Sequence, residues 1–508
     1  MALELVTEKG EPSGESEAAS ELADLDPGQF NDPISEELKA SLSSGWARHR
    51  DCLEPTPVSA YCAKRRLALS ECFPSDRLVV PSGQPRRRVN DQDYRHRPGS
   101  DYVYLTGDQS PGAVLVLEPG DAGHDVLLFA RTRSSRSDPS FFADSRHGEL
   151  WVGARQTASE VSAALGIECL SLDQLAEHLT RPLRPGARTR VLRDLDGDLD
   201  VAIRPASPRD DAELLAVCSE LRLVKDEYEI AEIETAVAIT TRGFEDVARL
   251  LTIAQSAGER FIEGIFEFRS RLEGNGVGYN TIAAAGPHAA TLHWNQNDGP
   301  ARSGDLLLLD AGAETQGLYT ADVTRTIPIN GGFSSLQRQV YQVVFAAQEA
   351  ALAEVRPGNR FRDYYRAAAE VLARGLEELG VLSVSAEESL ATSGVHRRFT
   401  LCSPGHMLGL DVHDCAKARA STYLDGVLAA GHVLTVEPGL YFQPDDETIP
   451  AELRGIGVRI EDDVLVTASG ARLLSGDLPR DPDAVERWAS DLMSHPREEA
   501  ATFSMRLP

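Results

Sequence analysis

The stretch LLLLDAGAETQGLYTADVTRTIPI, residues 306–329, sets Asp310 at the end of an apolar run and Asp322 at the head of a run rich in Thr and Val. Both runs predict strands, entered from the Ser303-Gly304 turn, and Gly312 and Gly317 suit the turn between them. The two carboxylates therefore sit on one predicted hairpin. A carboxylate at the end of an apolar strand is costly to bury unless a metal or another cation compensates it. Taken alone, the pair reads as readily as two solvent-facing acids.

More acids and histidines follow, each in a short apolar or glycine-bearing segment. GHMLGLDVHD (405–414) carries His406 and His413, LTVEPGLY (434–441) carries Glu437 and Tyr441, and GIGVRIEDD (455–463) carries Arg459 and Glu461. Carboxylates with an occasional imidazole are mostly hard oxygen donors, which suit Mn²⁺ or Mg²⁺ better than a thiolate-rich zinc site would. Several negative charges gathered together repel unless divalent cations lie among them, and a pair of such ions can activate water and polarise a carbonyl. Arg459 stands two residues before Glu461, so on a strand both face the same way and the guanidinium can hold a ligand carboxylate. Other chemistries fail on context. Gly274-Asn275-Gly276-Val277-Gly278 lacks dinucleotide-loop spacing and precedes a strand-like stretch. There is no H-E-x-x-H, and no G-x-S-x-G surrounds Ser403.

Asp310, Asp322, His406, Glu437 and Glu461, four acids and one histidine in this order, with Thr-Val-Glu-Pro-Gly at 435–439 among them, resemble the ligand set of the pita-bread metallopeptidases. The likeness is closest to the aminopeptidase P (Xaa-Pro aminopeptidase) family and less close to prolidase. It is strongest over residues 279–467 and weaker upstream to about 61. It implies two divalent ions per subunit, Mn²⁺ foremost, bridged by Asp322 and Glu461, with Asp310 on one and His406 and Glu437 on the other. Glu437 would also accept the proton of the attacking water. His293, in TLHW (291–294), and His413 would face the scissile carbonyl, although either residue alone reads equally as structural. Arg459 and Tyr441 belong to one implied network, and Asp91 and Trp151 complete the implied substrate-binding set from the N-terminal domain, partly across a subunit boundary, with Arg222 beside them. The resemblance thus implies a homo-oligomer, dimer or tetramer, acting on peptides with N-terminal Xaa-Pro. Two departures stand out. Asp310 and Asp322 are twelve apart where the family has eleven, so the extra residue must lie in the turn or a bulge. Cys402 occupies a position where many relatives carry histidine.

The elements that must position these groups fall into two domains. Residues 1–40 hold eleven acids against Lys9 and Lys39 and read as an acidic, disordered arm. Residues 41–205 predict an α/β domain: a helix over 47–69, β-prone runs at 77–81, 101–107, 112–120 and 125–129, then helices at 158–164 and 172–179. Ser207-Pro208 reads as a helix start at the boundary. Residues 206–485 predict an α+β catalytic domain of pita-bread type, with helices over 259–272, 335–355 and 362–379, and 486–508 a peripheral tail. With 51 Lys and Arg against 79 Asp and Glu, the charge of −28 argues against nucleic acid and anionic membrane as partners. No apolar run suits a membrane span or signal peptide, and the seven cysteines form no disulfide framework, so a cytoplasmic location is the expectation. The alternatives are a prolidase restricted to Xaa-Pro dipeptides, and a non-catalytic pita-bread scaffold that binds proteins. Methionine aminopeptidases lack so large an upstream domain, and creatinase does not need this ligand set.

Overall fold

The structure is a computed structural model that describes residues 35–90, 92–203, 208–401 and 403–494. The arm up to residue 34, Asp91, Ser207, Cys402 and the tail from 495 lie outside the described residues. The chain divides into two compact units, Met1–Ser59 with Pro74–Pro205, and Ala60–Phe73 with Ala206–Pro508.

The first unit is built on a five-stranded sheet in the order Glu168–Ser171, His124–Ala130, Val114–Pro119, Arg77–Pro81 and Thr189–Val191. The three central strands pair antiparallel and both outer ones parallel. Val79, Val116, Phe129, Leu175 and Val191 form its core. Two expectations change here. Residues 100–107 are a helix, Ser100–Thr106, whose Tyr102 to Thr106 are all buried and whose end is closed by left-handed Gly107. Burial on every side overrides the β propensity of Tyr and Val. The helix expected over 47–69 is instead Ser59–Cys72, because Pro55 and Pro57 hold the preceding chain extended. All but the first residue of that helix belong to the second unit. There the Arg65 guanidinium pairs with Asp226 at 2.7 Å and Glu229 at 3.5 Å.

In the second unit, Asp226 caps the long helix Glu227–Arg249 in a reciprocal box with Glu229. Ser334 and Gln337 do the same for Ser335–Glu354. Two antiparallel three-stranded sheets lie against such helices: Val323–Pro328, Leu306–Ala311 and Ile282–Ala285 in one, Val433–Val436, Asp462–Thr467 and Gly470–Leu473 in the other. Phe244, Ile262 and Phe266 from the helices pack on Leu307, Leu309, Val323 and Ile327 of the first sheet. Tyr364 and Phe361 pack with Leu434, Val436 and Val464 of the second. Residues 486–494, expected in a peripheral tail, belong to a helix that packs on the cores. Helix Pro482–Ser494 buries Val485 and Ala489 in these cores, because its apolar residues recur at helical spacing on one face.

Candidate active site

Strand Leu306–Ala311 is apolar on both faces, and the faces differ in what they meet. Leu307, Leu309 and Ala311 enter the helix-packed core, whereas Leu308 packs with Ile282, Ala284 and Tyr441. Asp310 follows Leu308 on that second face. Its cross-strand partner is Thr324, and the register continues without a bulge past Ala311↔Val323 to the Glu314↔Thr320 bridge. Asp322, two before Thr324, therefore lies diagonally opposite Asp310 on the same face. The additional residue falls in the turn 315–319, where Leu318 adopts φ 68°. Gly312 is needed for closeness: a Cβ there would lie 1.7 Å from the Ala321 carbonyl oxygen.

The other groups arrive by similar local logic. Backbone bonds from the Thr435 N–H to the His406 carbonyl and from the Leu408 N–H to the Val433 carbonyl, and the Met407↔Leu434 bridge, lay the 405–408 segment along strand Val433–Val436. His406 and Glu437 are thus brought to 3.4 Å, Nε2 to Oε1, with His406 Nε2 3.3 Å from Asp322 Oδ2. Glu461 follows strand Gly457–Arg459, and its Oε2 accepts from Thr324 Oγ1 at 2.7 Å. Arg459 pairs with Asp310 through Nη2, and its Nη1 donates to the Tyr441 hydroxyl at 2.9 Å. The His406 and His413 rings meet edge-on, centroids 4.4 Å apart. Asp310, Asp322, Glu437, Glu461, His293, His406, His413 and Arg459 all line one cavity of about 640 Å³. The lining also includes Tyr365, Val412, Ala418, Tyr423 and Leu424.

Tyr441, expected among the substrate contacts, is buried and does not line the cavity; its hydroxyl instead supports the Arg459 guanidinium. Trp151 is half exposed in the first unit, its indole N–H donating to the Phe142 carbonyl at 2.7 Å. Asp91 falls outside the described residues. Arg222 lies within 3.2 Å of Asp411 and Asp414, and Lys225 Nζ lies 2.8 Å from Asp414. These cations outweigh burial and hold the Asp414 carboxyl down to about 2, so the pair tethers the loop that follows His413.

The electrostatics explain what the site can hold. Asp310, Asp322 and Glu461 are buried and Glu437 nearly so, with Arg459 as the permanent cation among them. Burial raises the Asp310 and Glu461 carboxyls despite that guanidinium. Burial and the Asp322 charge push Glu437 up to about 7 against the opposing His406. Burial alone would lower His406, but its Asp322 hydrogen bond and the Glu437 charge push it up to about 9. For His413, burial and His406 lower the pKa. Tyr279 contacts Asp310 Oδ1 at 2.6 Å and Asp322 Oδ1 at 2.5 Å with one phenolic proton, so one of these contacts calls for an extra proton or cation. Ligand atoms of Asp322, His406 and Glu461 lie within 4.8 Å of one another. An oxygen-rich, over-acidic set of this kind fits divalent cations.

Several site residues carry no sequence motif of their own. Thr324 could have been found by period-two counting from Asp322; Tyr279 had no such signal. Arg325, fully buried, donates to Asp462 Oδ1 at 2.7 Å and to the Glu461 carbonyl at 2.6 Å. Asp463 accepts from the Asp322 N–H at 3.0 Å. Both fix the backbone that carries the acids.

Comparison with known proteins agrees with this geometry. Residues 231–468 match the metallopeptidase family M24, and residues 62–191 match the aminopeptidase P N-terminal domain. The chain is 51% identical over 461 residues to Xaa-Pro aminopeptidase 1 of Streptomyces coelicolor, covering 90% of this chain and 93% of that protein. Xaa-Pro aminopeptidase of Escherichia coli is 32% identical over 453 residues, covering 83% of this chain and 96% of the relative. Escherichia coli aminopeptidase P with the inhibitor Pro-Leu superposes with a TM-score of 0.74 at 29% identity, over 86% of this chain and 100% of that one. Pseudomonas aeruginosa aminopeptidase PepP gives 0.75 at 29%, over 87% and 99%. The fold is the pita-bread metallopeptidase domain behind an aminopeptidase P N-terminal domain, and the chain belongs to the Xaa-Pro aminopeptidases of family M24, which are metal-dependent hydrolases.

Proposed function

We propose that this chain releases the N-terminal residue from peptides whose second residue is proline. The observation that carries the reading is the convergence of Asp310, Asp322, His406, Glu437 and Glu461 on one cavity that His293 and His413 also line. Asp310, Asp322, His406, Glu437 and Glu461 would together hold two divalent ions. Divalent ions, Mn²⁺ by the hardness of the donors, supply an acidic water and a charge that polarises the scissile carbonyl. Glu437 accepts the proton from the attacking water and returns it to the departing proline nitrogen. His293 and His413 face the carbonyl oxygen and donate to the charge that develops there. Arg459 keeps the Asp310 carboxylate aimed into the cavity, and Tyr441 braces Arg459.

A cavity of about 640 Å³ lies within the ~300–1,000 Å³ range of clefts that enclose sizeable ligands, which supports peptides longer than dipeptides. Three consecutive exposed apolar side chains, Leu150, Trp151 and Val152, support a homo-oligomer, dimer or tetramer, in which this segment is covered. The described cysteines are all free thiols, which supports a reducing, cytoplasmic setting. No helix among the described residues is long and apolar enough to cross a membrane.

The test is turnover of Xaa-Pro-Yaa tripeptides, Xaa-Pro dipeptides and Xaa-Ala-Yaa controls by metal-stripped protein given Mn²⁺. Metal-dependent release from the Pro tripeptide alone is expected. Dipeptide-only turnover would make the chain a prolidase, and no turnover with any divalent ion would make it a scaffold.

A further inference from the structure

His293 stands on a loop, and the loop is held by a residue outside the cavity. Glu259, in the first turn of helix Glu259–Glu273, is fully buried. Its Oε1 accepts from the Ala285 N–H at 2.8 Å and lies 2.8 Å from His288 Nδ1. Its Oε2 accepts from Trp294 Nε1 at 2.9 Å and from the Gly299 N–H at 2.7 Å. One carboxylate thus ties together the strand that precedes the loop, the turn that opens it, the residue after His293 and the backbone that closes it. The His288 and Trp294 rings stack with centroids 3.8 Å apart, so the two side chains held by Glu259 also hold each other. Buried Asn297, at φ 47°, adds a second tether: its side chain accepts from the Ala283 N–H and donates to the Thr281 carbonyl. Leu292, on the other side of His293, packs in the small cluster with Ile282, Leu308 and Tyr441. The exposed imidazole between them reaches the cavity with both chain neighbours fixed.

We propose that Glu259 is a positioning residue for His293: its carboxylate sets where the imidazole points without touching substrate. A side chain with two acceptor oxygens is required, since four groups converge on it. Glutamine at 259 keeps the shape but offers one acceptor and an NH₂, which leaves at least one buried N–H facing another donor. The loop then loses one of its anchors, and an imidazole displaced by about 1 Å costs on the order of 100-fold in turnover.

The inference rests on the proposed role of His293, and the experiment separates the two. In Glu259→Gln, kcat on a Pro tripeptide is expected to fall by about 10- to 100-fold, with metal stoichiometry unchanged and KM within about twofold. Trp294→Phe, which keeps the ring and removes one donor, is expected to cause a smaller loss in the same direction. Neither change should lower turnover further in a His293→Ala background. A readout independent of activity is the His293 imidazole signal in ¹³C-histidine spectra of metal-free protein, assigned by its disappearance in His293→Ala. It should shift or broaden in Glu259→Gln while the His413 signal stays in place. An unchanged His293 signal, or losses that add in full to that of His293→Ala, would overturn the proposal. If wild-type protein cleaves no Xaa-Pro peptide, the functional reading fails and the spectra still decide the role of Glu259.

Discussion

Three demands meet at Asp322. Its Oδ1 takes the Tyr279 hydroxyl, its Oδ2 lies 3.3 Å from His406, and its N–H is held by Asp463. Because it shares both the Asp310 side and the His406 side of the cluster, Asp322→Ala should abolish divalent binding and turnover together. The loss should exceed the ~10–100-fold that follows removal of an outer partner of a ligand; metal stoichiometry by mass spectrometry, with turnover alongside, checks it. Protons compete for the same groups. Glu437 sits at about 7 in the fold against an ordinary 4.5, so its contribution to the metal-free protein is full below 4.5 and lost as pH rises through 7. His406, at about 9 against 6.5, contributes fully below 6.5 and loses its effect as pH rises through 9. The melting temperature of metal-free protein should therefore fall between pH 5 and 9, less steeply in Glu437→Gln. Excess divalent ion should flatten the fall, since the ions replace the protons. A melting temperature independent of pH in the metal-free state would contradict this account.

At the scale of elements, the site depends on a hairpin whose strands approach more closely than any side chain permits. Gly312→Ala puts a Cβ against the Ala321 carbonyl, a backbone atom that cannot swing aside. We expect a loss of about 1–3 kcal/mol in stability, with weakened metal binding because Asp310 and Asp322 lie on either side of the contact. Denaturant midpoints with and without divalent ion measure both effects. The second sheet is secured differently. Arg325 and Asp462 form a buried pair at 2.7 Å, and Gln348 Nε2 donates to the other oxygen of Asp462 at 2.8 Å. Such a network places the Glu461 backbone by charge and hydrogen bonding, because a strand end has no packing of its own to define it.

For the whole molecule, residues 74–205 of the first unit stand in the sequence between helix Ser59–Cys72 and the rest of the second unit. A fragment beginning at residue 206 would lack that helix. It would leave Glu229, buried and with its carboxyl raised, without the Arg65 guanidinium. Removing one partner of a buried pair costs about 3–5 kcal/mol. The fragment is therefore expected to melt well below the full chain or to aggregate, as calorimetry and light scattering would register. The same melting temperature in fragment and full chain would show that the helix adds nothing.

The metal-type ligand set, the hairpin under its first two acids and most of the long helices were legible from residue type, order and period. Hard donors in apolar segments and 3.6-residue spacing are local properties, and the chain states them wherever it folds. The helix at 100–106 was not legible, because Tyr, Val and Thr favour strands until burial on all sides decides otherwise. Nor was the packing of helix Pro482–Ser494, whose apolar face has meaning only once a core exists to receive it. Glu259 and Tyr279 act through partners 26 to 43 residues away, and Thr324 and Arg325 through partners more than a hundred residues away. Sequence by itself determined which groups could do the chemistry. Only the tertiary structure decided how they are aimed, since a side chain's direction and charge state depend on burial and on neighbours that the linear order does not place beside it.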